Sequence, residues 1–455
     1  MNTNFGKLYL NTALIVLLAA VVAGCLAGAS YIWPGFLKDS LGFISMRPIH
    51  ASAALFWVLL GATSCVYLAL QNIFPNKINK PLAWAQWALW IIALIGIFTS
   101  YFLGQFGGRE YWEYNPIFSL PIALAWILFI IQFFKIAFGV AKWPVYMWMW
   151  MTGIVFFMFT FLEGYLWLFP YFRQELITDM TIQWKVNGSM VGSWNQILYG
   201  SSFFLMDKIS GNKTVGHSKL AFAMYFLGFF NLCFNWGHHI YSLPTEPYIR
   251  YFGYVVSMTE WIIFAKIIYN WRTDVDEAHR FFSYFPYRFI MAANIWVLLN
   301  LFLALLMSIP AFNLYTHGTH VTVAHSMGTT IGINSMIILA AAFMFYSNST
   351  HPLKNEKPWT NRFFWLLQGG LFILWIGLIG AGIKKGLWQL TPKHSSYGDM
   401  MATMKPWFGA FYLGGLLLTI AFIGIAIQLL RAHFNNKNND STLEIDCVQT
   451  TQTYA

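Results

Sequence analysis

TVAHSMGTTIGINSMIILAAAFMF, residues 322–345, runs for 24 residues without a Lys, Arg, Asp or Glu. A helix needs about 20 mostly apolar residues to cross the roughly 30 Å hydrocarbon layer of a bilayer. This stretch is long enough, and it carries His325 and Met327 near one end. Eleven more such runs lie at 11–33, 48–73, 82–103, 117–140, 145–169, 188–206, 220–240, 251–269, 289–309, 363–383 and 407–430. The connections between them are short and hold most of the Pro, Lys, Arg, Asp and Asn. The 455-residue chain is 58% hydrophobic and 10% charged, whereas a soluble domain is about 25% charged. So few charges cannot cover a water-soluble body of this size. The sequence therefore predicts an all-α, polytopic membrane protein of about twelve transmembrane helices. Residues 1–431 form one membrane domain, and 432–455 form a polar tail expected to be disordered.

The formal net charge is +10. In a membrane protein such an excess sets topology rather than nucleic-acid binding. Lys77, Lys80, Lys135, Lys142, Arg272 and Arg280 fall in connections after even-numbered runs. The opposite face carries fewer cations. This bias places both termini in the cytoplasm of an inner-membrane protein, with the lipid bilayer as its surroundings. The four cysteines suggest no disulfide framework, and there is no C-x-x-C-H motif for covalent haem.

Ionisable groups at bilayer depth are costly and mark function. The conspicuous set is His50, Asn187, His238, His239, Glu260 and His325. With this topology and a rise of about 1.5 Å per residue, all lie in the outer half of the bilayer. Any one of them alone is as readily a buried polar group bonded to a neighbouring helix. Five helices placing metal-capable residues at one depth is the layout of a cofactor site inside a bundle. Imidazole suits iron, copper and zinc. Adjacent residues point about 100° apart on a helix, so His238 and His239 reach one metal only where a helix end faces it. His325 and Met327 project about 200° apart and are placed to serve two haems, one on each side. A methionine in a span more often packs, and Met327 gains its weight from its company.

Five motifs in order resemble the large, haem-bearing subunit of bacterial nitric oxide reductase, a branch of the haem–copper oxidase superfamily. They are Arg47-Pro48-Ile49-His50 with Phe56-Trp57, Gly108-Arg109-Glu110-Tyr111-Trp112-Glu113-Tyr114, Gly237-His238-His239, Glu260, and Asn313 to His317 leading to His325. The resemblance implies His50 on a low-spin haem b, His325 on a high-spin haem b3, and His238, His239 and Glu260 at a non-haem metal, iron or copper. It implies calcium at Glu110, with Arg109 and Arg47 neutralising haem propionates. A separate c-type cytochrome subunit would deliver electrons, and nitric oxide would be the substrate.

The sequence departs from this pattern at three positions. Met327 stands where the family has a second histidine, which makes it the candidate partner of His50. Asn187 and Val191 replace a histidine and a glutamate at the metal, leaving Asn187 as a weak candidate ligand or catalytic group. Four readings follow: a nitric oxide reductase, a dismutase giving dinitrogen and dioxygen, a non-catalytic haem protein, and a carrier, which leaves the histidines unexplained. Oxygen reduction fits less well, because family oxidases carry a tyrosine where Val191 stands. His50 and His325 on separate spans predict two non-covalent b-type haems per chain. A pyridine haemochrome assay showing one or none would contradict this.

Overall fold

A computed structural model describes residues 3–257, 261–346, 357–391 and 395–439. Among them there is no strand, and helices follow one another through the chain. Helices α1 (Phe5–Ala29), α2 (Phe43–Ile73), α3 (Lys80–Phe102), α4 (Ser119–Ala137) and α5 (Val145–Glu163) lead through a short α6 (Pro170–Arg173) to α7 (Leu176–Ser210). Next come α8 (Lys219–Phe234), α9 (Pro247–Ser257), α10 (Trp261–Asp274), a short α11 (Glu277–Phe282) and α12 (Tyr284–Ser308). The chain closes with α13 (Pro310–Thr316), α14 (His320–Met327), α15 (Met336–Tyr346), α16 (Lys357–Leu390) and α17 (Tyr397–Asn439).

Ten helices of the described residues are long and apolar enough to cross a membrane. They match ten of the twelve apolar runs. The other two differ for identifiable reasons. The run at 188–206 lies within α7, whose buried residues include Asn187, Ser189, Ser193, Gln196, Ser201, Ser202 and Asp207. These lower its hydropathy. The helix tolerates them because α2, α5, α8 and α15 pack around it and it meets protein rather than lipid. Ser193 and Ser201 satisfy their hydroxyls on the carbonyls of Ser189 and Ile197, each at 2.8 Å, as a buried polar group must. The run at 251–269 includes residues 258–260, outside the described residues, with α9 before them and α10 after. Glu260 is one of these residues. At the C-terminus α17 continues to Asn439, beyond the expected domain end at 431, and 440–455 lie outside the described residues.

Two local distortions position the site. Helix α8 ends in a 3₁₀ segment, Asn235–Ile240, which carries His238 and His239. After Met327 the helix widens into a π-helical stretch, Gly328–Ser335, before α15. Such stretches cluster at functional sites. The stretch is tied to α2 by Trp57, whose Nε1 donates to Ser335 Oγ at 2.8 Å. Interhelical bonds of this kind contribute about 0.6–1.7 kcal/mol in membranes. Trp57→Phe should therefore lower stability by about 0.5–2 kcal/mol, read as earlier thermal loss of the haem absorbance in detergent. Adding Ser335→Ala should cost less than the two single losses summed, and full additivity would contradict the bond's role.

Candidate haem and metal centre

His50 lies on α2 where it meets α1. Its Nδ1 donates to the carbonyl of Ala20 at 2.8 Å. This fixes the tautomer and leaves Nε2 with its lone pair, the state an axial ligand requires. Helix α1 approaches closely because residue 24 is glycine. A Cβ there would lie 2.5 Å from His50 Nδ1, so any side chain at 24 displaces the ring.

His325 and Met327 both fall on α14, as the two-haem argument requires. The His325 imidazole lies beside the backbone of Asn300, yet its buried Nδ1 has no hydrogen bond of good geometry. Asn300 Nδ2 donates to the His325 carbonyl at 3.0 Å and to Thr329 Oγ1 at 2.8 Å. That pair of bonds fixes α14 where it passes into the π-helical stretch. Met327 is half-buried and packs on the main core. His320, one turn earlier, sets its ring against Tyr31 and Phe408.

Ser326, between the two candidate ligands, lies near the Tyr111 side chain and donates its hydroxyl to the Thr322 carbonyl at 3.1 Å. The loop bearing Tyr111 closes through reciprocal bonds between Arg109 and Trp112, at 3.1 and 2.8 Å. Tyr111 sits there with φ +71°, a conformation uncommon outside glycine and typical of functional loops. Burial, reinforced by the Glu110 carboxylate, pushes its hydroxyl up to about 12, so it remains a proton donor at neutral pH. Sequence reading took the loop as a cation site and missed this contact.

The same loop carries the expected charges. Glu110 is exposed and accepts a bond from Asn187 Nδ2 at 3.3 Å. Arg47 pairs with Glu113. Burial raises the pKa of the Glu113 carboxyl against the pull of that guanidinium, and its Oε2 has no partner. Arg109 pairs with Asp179 at 2.7 Å and lies 4.8 Å over the Trp167 ring. Both arginines thus have carboxylate partners of their own, which sequence reading did not foresee.

His238 and His239 stack with centroids 4.4 Å apart and planes at 28°. Their 3₁₀ turn is the helix end that two adjacent imidazoles need. His239 abuts α7, where a Cβ on Gly188 would lie 2.7 Å from its Nε2 and Cδ2. Both histidines interact electrostatically with His325 and with His317, a residue sequence reading had placed only in a motif. Among the described residues, no three His, Cys, Asp or Glu side chains converge closely enough to hold a metal ion. Asn187 Oδ1 accepts a bond from Gln183 Nε2 at 3.3 Å while its Nδ2 donates to Glu110. The imidazole pair is suitable chemistry for iron or copper, and His50 and His325 suit haem iron.

Comparison with known proteins identifies the family. Residues 4–417 match the family described as cytochrome c and quinol oxidase polypeptide I. A nitric oxide reductase chain from Stutzerimonas stutzeri is 22% identical over 461 residues, covering 93% of both proteins. Subunit 1 of the Rhodobacter capsulatus cytochrome c oxidase is also 22% identical, over 87% of this chain and 78% of its own. The cbb3-type oxidase subunit CcoN1 of S. stutzeri is 21% identical over 90% of each. A solved haem–copper terminal oxidase dimer shares the fold, with TM-score 0.73 at 13% identity, over 95% of this chain and 84% of that one. With ten apolar spanning helices around this histidine set, the chain belongs to the haem–copper oxidase subunit I family of multi-pass membrane proteins.

Proposed function

We propose that the protein reduces nitric oxide, combining two NO with two electrons and two protons to give nitrous oxide and water. The observation that carries this reading is the His238–His239 turn, held against α7 and interacting with His325. Val191, on the next turn of α7, stands where oxidases of the resembling family keep a tyrosine. When bound, two haems b and a non-haem iron supply the electrons and bind the nitrogen oxide.

The chain's own groups then have these roles. His50 and Met327 hold the low-spin haem, and His325 holds the high-spin one. His238 and His239 hold the metal. Glu260 either joins them or passes protons to the substrate, since an unpaired carboxylate in hydrocarbon is unstable. Glu110 offers its exposed carboxylate to calcium, with Arg47 and Arg109 placing positive charge beside the haem propionates. A c-type cytochrome delivers the electrons at the outer face of the inner membrane.

A cavity of about 380 Å³ is lined by Phe156, Phe159, Ser189, Cys233 and Trp236, with the Glu163–Lys185 ion pair on its wall. Phe159 is exposed. Ser189, on the lining, follows Gly188, which abuts His239.

A second reading is dismutation of two NO to dinitrogen and dioxygen, which needs no net electrons. The engagement of Asn187 by Gln183 and Glu110 favours it, because the metal then lacks a donor that supports reduction. Purified protein supplied with labelled NO and an electron donor under anaerobic conditions should form nitrous oxide. Dinitrogen with dioxygen would establish dismutation instead. No conversion of NO, together with rapid dioxygen consumption in air, would contradict both.

A further inference from the structure

We infer that the Arg288 guanidinium, at one end of the seam between α12 and α16, is a binding site for the phosphate of an anionic phospholipid. The inference goes beyond the reaction proposed above and needs none of it.

Charge supplies the first argument. Arg47 and Arg109 are paired with carboxylates. Arg288 is half-buried, and among the described residues no carboxylate pairs with it. Its Nη1 donates to the Tyr284 hydroxyl at 2.9 Å and to Asn361 Oδ1. Tyr284 donates in turn to the same amide oxygen at 3.3 Å. These bonds use both hydrogens of Nη1. Nε and Nη2 meet no acceptor among the described residues, and neither is sealed from the surface. Together they form one edge of the planar fork, which matches phosphate oxygens bidentately.

The second argument is the fixed position of the group. Arg288 Cζ lies 4.3 Å from the centroid of the Phe364 ring, 5.2 Å from that of Tyr284 and 5.3 Å from that of Trp365. Aromatic faces attract a cation without neutralising it. The cage therefore holds the guanidinium in place and leaves its charge for an outside anion.

The third argument decides which anion. Arg288 lies near the start of α12, a helix able to span a membrane. Trp359 and Trp365, near the start of α16, are 54% and 65% exposed, and tryptophan favours the membrane–water interface. The site is thus at headgroup depth, where lipid phosphates lie. Ile295 and Phe302 repeat the helix face of Arg288, and Phe372 and Ile376 repeat that of Trp365. All four are exposed. Side chains bridge the seam between the helices: Trp296 Nε1 donates to Gln368 Oε1 at 2.9 Å, and Phe289 meets Phe364 edge to face at 5.2 Å. A phosphate on Arg288 would leave its acyl chains along this apolar seam. Basic pockets between spanning helices suit anionic headgroups.

The test uses the full purified chain, stripped of lipid in detergent. It is titrated with dioleoyl phosphatidylglycerol, dioleoyl phosphatidylcholine or inorganic phosphate, and bound lipid is counted by native mass spectrometry. Haem absorbance reports an intact fold. Wild type should hold phosphatidylglycerol more than about 10-fold more tightly than phosphatidylcholine, as charge-assisted bonds to an anion require. Arg288→Gln should remove most of that preference. Arg288→Lys, which keeps the charge without the fork, should lose part of it. Arg362→Gln, a nearby exposed cation over Trp359, should reduce it by about 5-fold or less. Equal binding of the two lipids in wild type would overturn the inference. So would equal losses in Arg288→Gln and Arg362→Gln, which would mark a general basic face. Displacement of phosphatidylglycerol by an equal concentration of inorganic phosphate would overturn the lipid assignment and leave a free-oxyanion site. If Arg288→Gln loses its haems, Arg288→Lys decides: an unchanged preference there overturns the inference.

Discussion

The close contact between α7 and the 3₁₀ turn at the end of α8 is the constraint on which the rest depends. Glycine at 188 removes the Cβ that would strike the His239 ring. The ring can then lie on the helix backbone, and the turn can present two imidazoles on one side. Polar residues on α7 follow from the same position. A helix that touches the His238–His239 turn on one side and α5 and α2 on others is packed largely by protein, so serines, glutamine and an aspartate can be buried on it. The loop carrying Glu110 then docks on α7 through Glu110–Asn187 and Arg109–Asp179. It tucks Tyr111 against Ser326, between the two candidate haem ligands.

Much of this was legible in the sequence because a bilayer imposes coarse rules. Apolar runs of about 20 residues mark helices whatever they pack against, and ten emerged as spanning helices. The histidines stood out for the same reason, since an imidazole in hydrocarbon needs a partner. The spacing of His325 and Met327 could be read because α14 is regular through Met327, just before the π-helical stretch begins.

Other features were hidden because they depend on tertiary partners. Hydropathy cannot show that α7 is surrounded by protein, and so its polar character weakened it as a span. The 3₁₀ and π segments arise from packing and carry no distinct local signal. Arg47 and Arg109 were read as propionate partners from their motif, but their bonds to Glu113 and Asp179 could be found only in three dimensions. His317 lies in a turn eight residues before His325, and its ring meets that of Trp184 on α7, far away in the chain.

The account's central claim is that His238 and His239 hold a metal beside the haem on His325. X-ray absorption at the edge of the non-haem metal, in wild type and in His239→Ala, tests it most directly. The account predicts one non-haem metal per two haems in wild type, with imidazole scattering in its coordination shell. In His239→Ala that metal should be absent while both haem spectra persist. A metal shell identical in the two proteins would contradict it.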